Sequence, residues 1–341
     1  MANATPTTTR DEAQRPLFAG VDVGGTNIKF GIVDDGGQTI SQSKIVTDSD
    51  RGPDDGMRRI AVELRRLCAE TGVGYEELRA VGLATPGTMD IAAGVLLTPH
   101  NLPSWSNYPI RDRLRAECGK PVSFANDANA AAFGEYWAGS GRDHNSIVMV
   151  TLGTGVGGGI IIGGRSLDGE HSHGGEVGHI MIDCSPEARI CPCGLPGHLE
   201  GYCSATAVVR RANELLDGSA ESSLRQRMEE GETLTTLMMA EEAERGDKFC
   251  RDVIFECAHY LSIGIVTLVH LVDPNVVVLG GAMDFGGEES QLGREFIGAI
   301  RAEFARLAFP TLVETTRIDF AQLGGDAGYI GAAGIARALH V

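Results

Sequence analysis

Apolar and polar positions alternate over residues 18–23 and again over residues 28–34, with Gly24-Gly25-Thr26-Asn27 between the two runs. A period of two puts successive side chains on opposite faces of a strand, so the pattern predicts strand, glycine turn, strand. Residues 57–70 carry apolar positions at helical spacing. Residues 80–86 read as an apolar strand that stops at Thr85-Pro86-Gly87, 110–118 as a short helix and 121–125 as another strand. Asn126-Asp127 then opens an alanine-rich helix, with either residue placed to cap its free N–H groups.

The opening unit returns about 130 residues later. Residues 146–152 predict a strand, Gly153-Thr154-Gly155-Val156-Gly157-Gly158-Gly159 a turn, and 160–163 a second strand. Two such units suggest two related α/β halves. Helical periodicity follows over 205–216, 233–245 and 247–271, and Asp273-Pro274 ends the last of these. A buried strand at 276–279 leads into Gly280-Gly281-Ala282, and a helix of small residues from Gly328 closes the chain.

Composition narrows the reading. The 341 residues carry a formal net charge of −17, which repels nucleic acid and anionic membranes. The longest apolar stretch, 260–272, is too short to span a bilayer, and no signal-peptide core precedes residue 18. The expectation is a soluble, cytoplasmic protein with no nucleic-acid or membrane partner and a frayed tail over 1–17. Of the eight cysteines, Cys68, Cys118, Cys250 and Cys257 lie in helical patterns and read as packed thiols. Cys191 and Cys193 do not. With His179 and His198 they form the series His-x₁₁-Cys-x-Cys-x₄-His, four donors able to close a tetrahedral zinc site that leaves no open position for catalysis. His171 and His173 lie nearby as possible competitors, and Glu176 and Glu200 flank the series.

Gly153, Gly155 and Gly158 match G-x-G-x-x-G, but a dinucleotide fingerprint must open a helix, and here a strand follows. No P-loop signature is present. A glycine hairpin that turns its backbone N–H groups and a threonine hydroxyl toward phosphate fits both units better than a plain turn. Asp22, at the end of the first strand, could hold Mg²⁺ through water. Asp127 reads locally as a helix cap or as a base held ionised by the helix N-terminus.

Taken together, Asp22-x-Gly24-Gly25-Thr26, Leu152-Gly153-Thr154-Gly155 and Leu279-Gly280-Gly281 resemble the phosphate-1, phosphate-2 and adenosine motifs of the sugar kinase, Hsp70 and actin superfamily. Glu176-x-Gly178-His179 with Cys191-x-Cys193-Gly194-x-x-Gly197-x-x-Glu200 resembles one branch of it, the ROK family of repressors, open reading frames and kinases. The resemblance runs from about Phe18 to the C-terminus and is strongest to ROK glucokinases. It implies a two-domain actin-like, ribonuclease H-like α/β fold with the active site in an interdomain cleft that closes over sugar. The smaller domain would span 18–125, completed by a C-terminal helix at about 326–341, and the larger 126–325 with the zinc loop at 179–200. It implies transfer of phosphate from ATP to glucose with Asp127 as general base. Asn126, Asp127, Glu176, His179 and Glu200 would contact the hexose, with Gly87 and Asn101 as further candidates. Asp22, Gly24, Gly25, Thr26, Asn27, Gly153, Thr154, Gly155, Gly280 and Gly281 would hold ATP and its Mg²⁺. Structural zinc would sit on His179, Cys191, Cys193 and His198, the last standing where the family pattern has a third cysteine. His179 would bind metal through one nitrogen and face sugar with the other. A homodimer is implied in the same way. Related kinases act on N-acetylmannosamine, N-acetylglucosamine, fructose, mannose or allose, and polyphosphate is a conceivable donor. A sugar-sensing repressor would carry a helix-turn-helix ahead of this region, whereas 21 residues precede Asp22. A superfamily ATPase without sugar chemistry would not need Asn126-Asp127 beside Glu176, His179 and Glu200.

Overall fold

A computed structural model describes residues 5–99, 101–218 and 220–341. The chain opens with β1 (Leu17–Val23), β2 (Asn27–Val33) and β3 (Thr39–Val46), followed by α1 (Pro53–Thr71), β4 (Leu78–Thr85) and the hairpin β5 (Thr88–Asp90) and β6 (Val95–Thr98). Next come α2 (Ile110–Cys118), β7 (Val122–Asn126) and α3 (Asp127–Ala138). The repeat of the opening unit is β8 (Ser146–Leu152) and β9 (Val156–Ile162), with the short β10 (Arg165–Ser166) behind it. Then follow α4 (Glu200–Cys203), α5 (Ala205–Leu216), α6 (Leu224–Glu229), α7 (Thr236–Glu244) and α8 (Lys248–Val272). The chain ends with β11 (Val276–Gly280), α9 (Gln291–Leu307), α10 (Pro310–Thr315), β12 (Arg317–Phe320) and α11 (Ala327–His340).

The first sheet has order β3-β2-β1-β4-β7, and the second has order β10-β9-β8-β11-β12. In the first, β1, β4 and β7 run parallel. In the second, β8, β11 and β12 do. The two glycine hairpins therefore occupy matching places in two sheets of the same design, as the sequence repeat predicts.

Two compact units emerge. The first comprises, among the described residues, 5–146, Gly159–Gly175 and Ala321–Val341. Alternation along β1 sends Leu17, Ala19, Val21 and Val23 into one core with Met57, Ile60 and Leu64 of α1 and Leu114 of α2. Phe18 goes to the opposite face, under Tyr329, Ile330 and Ala333 of α11. Asp22 shares the parity of Phe18. The second unit comprises Ile147–Gly158 and Glu176–Phe320. Its longest helix, α8, is apolar and long enough to cross a membrane by composition. It is instead packed by α9, α7, α4 and α5, burying Val253, Ile254, Leu261, Ile265 and Leu268.

Two expectations are corrected here. The division does not fall at 125/126: α3 stays with the first sheet. Small residues explain this, since they let α3 lie directly on α11, and a Cβ at Gly134 would fall 2.4 Å from the Ala327 carbonyl oxygen. Nor is 1–17 a frayed tail where it is described. Thr8 N–H donates to the Thr39 carbonyl at 3.1 Å, and Thr39 N–H to that of Pro6 at 2.7 Å. Gln14 N–H donates to the Asp34 carboxylate at 2.9 Å, and Arg15 pairs with Glu77 at 2.8 Å. Residues 1–4 of the expected tail lie outside the described residues.

Candidate functional site

In the first unit the three parallel strands end together. Asp22 lies opposite Ala84, Ala84 opposite Ala125, and Thr85 opposite Asn126. Open α/β sheets bind ligands outside these carboxyl ends. Asn126 is the helix cap: its Oδ1 accepts from Ala128 N–H at 2.9 Å and Asn129 N–H at 3.3 Å. Asp127 is thereby the first helical residue, its carboxylate accepting from Ala128 N–H at 2.9 Å. Capping by Asn126 removes the reading of Asp127 as a simple cap. It also commits Oδ1 of Asn126, leaving the NH₂ as the group able to donate to a sugar hydroxyl.

Asp22 is half-buried against the first turn of α11, where a Cβ at Gly328 would lie 2.4 Å from its Oδ2. Burial, helped by the negative charge of Asp127 and opposed by Lys29, pushes its carboxyl up to about 7. A buried carboxyl beside a second carboxylate suits a divalent cation. Lys29 is the cross-strand partner of Asp22. No motif marks it in the sequence, although counting outward from the Gly24–Asn27 turn pairs the two.

The turn itself is held from behind. Gly24 N–H donates to the Asn27 carbonyl at 2.9 Å. Thr47 clamps it with its hydroxyl on the Gly24 carbonyl at 2.6 Å and its N–H on that of Thr26 at 2.9 Å. Gly25 and Thr26 stay exposed. No local pattern marks Thr47, which reaches the turn through β3. Gly87, at φ +99°, allows close approach to Pro99, and Asn101 backs onto Gly25 at 3.1 Å from where a Cβ would stand. Asn101 thus sits beside the Gly24–Asn27 turn, and Gly87 lies against Pro99. Asn129 and Asp168, also absent from the expected set, fasten the first turn of α3: Asn129 Nδ2 donates to Asp168 Oδ1 at 3.1 Å, and the Ser166 hydroxyl joins them at 2.7 Å.

In the second unit, Gly153 N–H closes the second turn on the Gly155 carbonyl at 3.0 Å. The start of α5 braces it, with Ala205 N–H on the Gly153 carbonyl at 2.8 Å and the Thr206 hydroxyl on that of Thr154 at 2.9 Å. Gly280 ends β11, and Gly281, at φ +96°, lies against Leu152, where a Cβ would be 2.2 Å from its carbonyl oxygen. Beside it a cavity of about 300 Å³ is lined by Leu237, Ala240, Met283 and Phe285 among others. Glu200 is anchored at the turn, its Oε2 accepting from Val156 N–H at 2.8 Å. Glu176 is exposed and accepts His179 N–H on its backbone carbonyl at 3.0 Å.

His179, Cys191, Cys193 and His198 converge, all four donor atoms within 4.8 Å of one another. His179 Nδ1 is 3.4 Å from His198 Nδ1 and 3.9 Å from Cys191 Sγ, and Cys193 Sγ is 3.2 Å from His198 Nδ1. Tetrahedral zinc with its usual bond lengths needs edges of about 3.3–3.8 Å, so the residues fit the metal. His198 brings its Nδ1 into the group of four donors. His179 turns Nδ1 to the cluster, leaving Nε2 as its other polar atom. His171 and His173 do not belong to the cluster.

A model of the ROK family matches residues 18–338. A glucokinase from Thermotoga maritima is 33% identical over 316 residues, covering 93% of this chain and 96% of the relative. A ROK hexokinase from Thermus thermophilus superposes with a TM-score of 0.80 at 32% identity, covering 95% of this chain and 98% of the other. A ROK family glucokinase from Streptomyces griseus, solved with glucose and AMPPNP, superposes at 0.71 and 32% identity, covering 94% and 99%. The fold class is the two-domain actin-like α/β type that the motifs imply. The match spans nearly every element described above and every motif residue: the chain belongs to the ROK family.

Proposed function

We propose that the protein is an ATP-dependent hexose kinase that converts glucose to glucose 6-phosphate. The observation that carries this reading is the pair of carboxylates, Asp22 and Asp127, at the shared ends of three parallel strands. Phosphoryl transfer to an alcohol needs a nucleotide clamp, a cation and a carboxylate for the hydroxyl proton. Asp127 takes the proton from the 6-hydroxyl as that oxygen bonds to the γ-phosphorus. The bond to the β–γ bridging oxygen breaks, and its electron pair leaves with ADP. Asp22 would hold Mg²⁺ through water, and the cation supplies neutralisation of the phosphate charge. The N–H groups of Gly25 and Thr26, and of Thr154 and Gly155, bind phosphate oxygens, while Gly24, Asn27 and Gly153 shape the two turns through their own backbone hydrogen bonds. Gly280 and Gly281 admit the adenosine, and the apolar cavity lined by Leu237, Met283 and Phe285 is suited to its base.

Asn126, Glu176, His179 and Glu200 bind the ring hydroxyls, with Gly87 and Asn101 completing the sugar's surroundings. His179, Cys191, Cys193 and His198 hold structural zinc, and the protein acts as a homodimer in the cytoplasm. The 33% identity to a named glucokinase supports glucose over other hexoses. The test is ADP release over a panel of hexoses and N-acetylhexosamines with wild type and Asp127→Asn. Glucose should give the highest kcat/KM, and the variant should lose ~10²–10⁴ in kcat with glucose KM little changed. Near wild-type turnover by Asp127→Asn would remove Asp127 as the base, and a preference for an N-acetylhexosamine would reassign the substrate.

A further inference from the structure

Glu200 touches two things that the reaction keeps apart. Its Oε2 accepts the Val156 N–H at 2.8 Å, directly behind the Gly153-Thr154-Gly155 turn. Its Oε1 lies 3.5 Å from Cys191 Sγ in the metal cluster. The fit at the turn is tight, since a Cβ on Gly155 would come within 2.4 Å of Oε2. Glu200 is also held by the cluster through the chain, because it stands two residues after His198 and opens α4. The backbone around it is fastened to the metal loop by Leu199 N–H on the Ile180 carbonyl at 3.0 Å and Gly201 N–H on that of His198 at 2.9 Å.

We propose that Glu200 is a positioning residue for the nucleotide, tying the Gly153–Gly155 turn to the metal loop so that metal occupancy sets nucleotide affinity in the absence of sugar. The inference rests on the reading of this turn as a phosphate clamp and adds to it. A phosphate turn works by presenting N–H groups already in place. The Val156 N–H lies at the strand edge of that turn, and one carboxylate fixes where the strand begins. With metal bound, Cys191 and His198 are locked, and the backbone of Glu200 has one position. Without metal, the loop that places Glu200 loses its four-point closure. The turn then fluctuates, and nucleotide binding must order it.

The probe is a fluorescent ADP analogue with Mg²⁺, titrated without sugar into the full chain, zinc-loaded or chelator-treated. Loaded wild type should bind, and chelation should weaken binding by about tenfold. Loaded Glu200→Ala should be weakened by a similar factor, and chelating it should change little further, because the link is already cut. Glu200→Gln keeps an oxygen for the Val156 N–H and should stay near wild type. Equal weakening of wild type and Glu200→Ala by chelation, or no effect of chelation on either, overturns the inference while leaving the phosphate reading intact. Absence of nucleotide binding by loaded wild type overturns both.

Discussion

Asp22 concentrates the conflict between stability and function. Its carboxyl titrates near neutrality, at about 7, because burial and the neighbouring Asp127 outweigh Lys29. In the unfolded chain it titrates near 3.8. Below pH 4 both states hold the proton, and the group contributes nothing to the pH dependence. Between pH 4 and 7 the unfolded chain releases the proton and the folded one retains it, so stability falls as pH rises. Above pH 7 the loss is complete and constant. Asp22→Asn removes the ionisation and should melt higher than wild type at pH 8, by an amount on the order of 2–4 kcal/mol. The difference should vanish toward pH 4, while kinase activity is lost. Thermal melts of both proteins across this range decide it, and a pH-independent difference would mean that the carboxylate is not strained in the fold. The motif Asp-x-Gly-Gly-Thr names this residue from sequence, but its raised pKa comes from α11 and α3, far along the chain.

At the scale of elements, close approach governs the first unit. Gly331 of α11 faces α3, and a Cβ there would lie 1.6 Å from the Ala130 carbonyl oxygen. Gly298 of α9 is exposed, with nothing within 4 Å of its would-be Cβ. Both sit inside helices, where alanine is intrinsically better by about 1 kcal/mol. Gly298→Ala should realise ~0.5–1 kcal/mol of that gain, whereas at Gly331 overpacking of ~1–3 kcal/mol or more wins and the sign reverses. Urea unfolding midpoints of the two variants should therefore move in opposite directions. Both moving upward would show that α11 shifts off α3 at little cost.

Sequence patterns reached the elements that carry a full apolar face. The helix Ile110–Cys118, the strand Ser146–Leu152 and the helix Ala205–Leu216 fall where periodicity puts them. They did not reach β3, a sheet-edge strand rich in Ser, Gln and Lys, nor the three-residue β5 and four-residue β12, which are too short to show a period. The α9 helix was also outside the expected set, although Leu292, Phe296, Ile300 and Phe304 repeat at helical spacing. The N-terminal segment escaped because its attachment near Thr39 is made by backbone groups, which side-chain patterning does not report. In the site, the motif glycines and donors were legible, whereas Thr47 and Asp168 act through contacts that only the folded chain creates.

For the whole molecule, stability is distributed unevenly, and a metal held by His179, Cys191, Cys193 and His198 would act on one part of it. The first unit closes over a continuous core in which Leu17, Phe30, Met57, Leu64 and Trp105 are fully buried. The loop from Ile180 to Leu199 buries Cys191 and Leu199 but otherwise rests on backbone hydrogen bonds and the Arg189–Glu256 ion pair. Its regular pairing is limited to the isolated bridges Met181–His198 and Ile190–Pro196, and Met181, Ile190 and Leu195 stand more than half exposed. A segment with few buried apolar contacts opens locally at low cost unless something else closes it. Four donors on one zinc ion would close it by fixing His179 and His198 together, removing most of the loop's freedom. Chelation should therefore raise hydrogen exchange across 180–199 by about tenfold or more and expose Cys191 to alkylation, while amides of β1, β2 and β4 keep their protection. Metal analysis of the untreated protein should give one zinc per chain, the stoichiometry of a four-ligand site. Equal loss of protection in β1 and in the loop would make the metal a global stabiliser instead of a local brace. Unchanged exchange in both would show that the loop holds its shape through its own bridges and that the four donors converge without need of an ion.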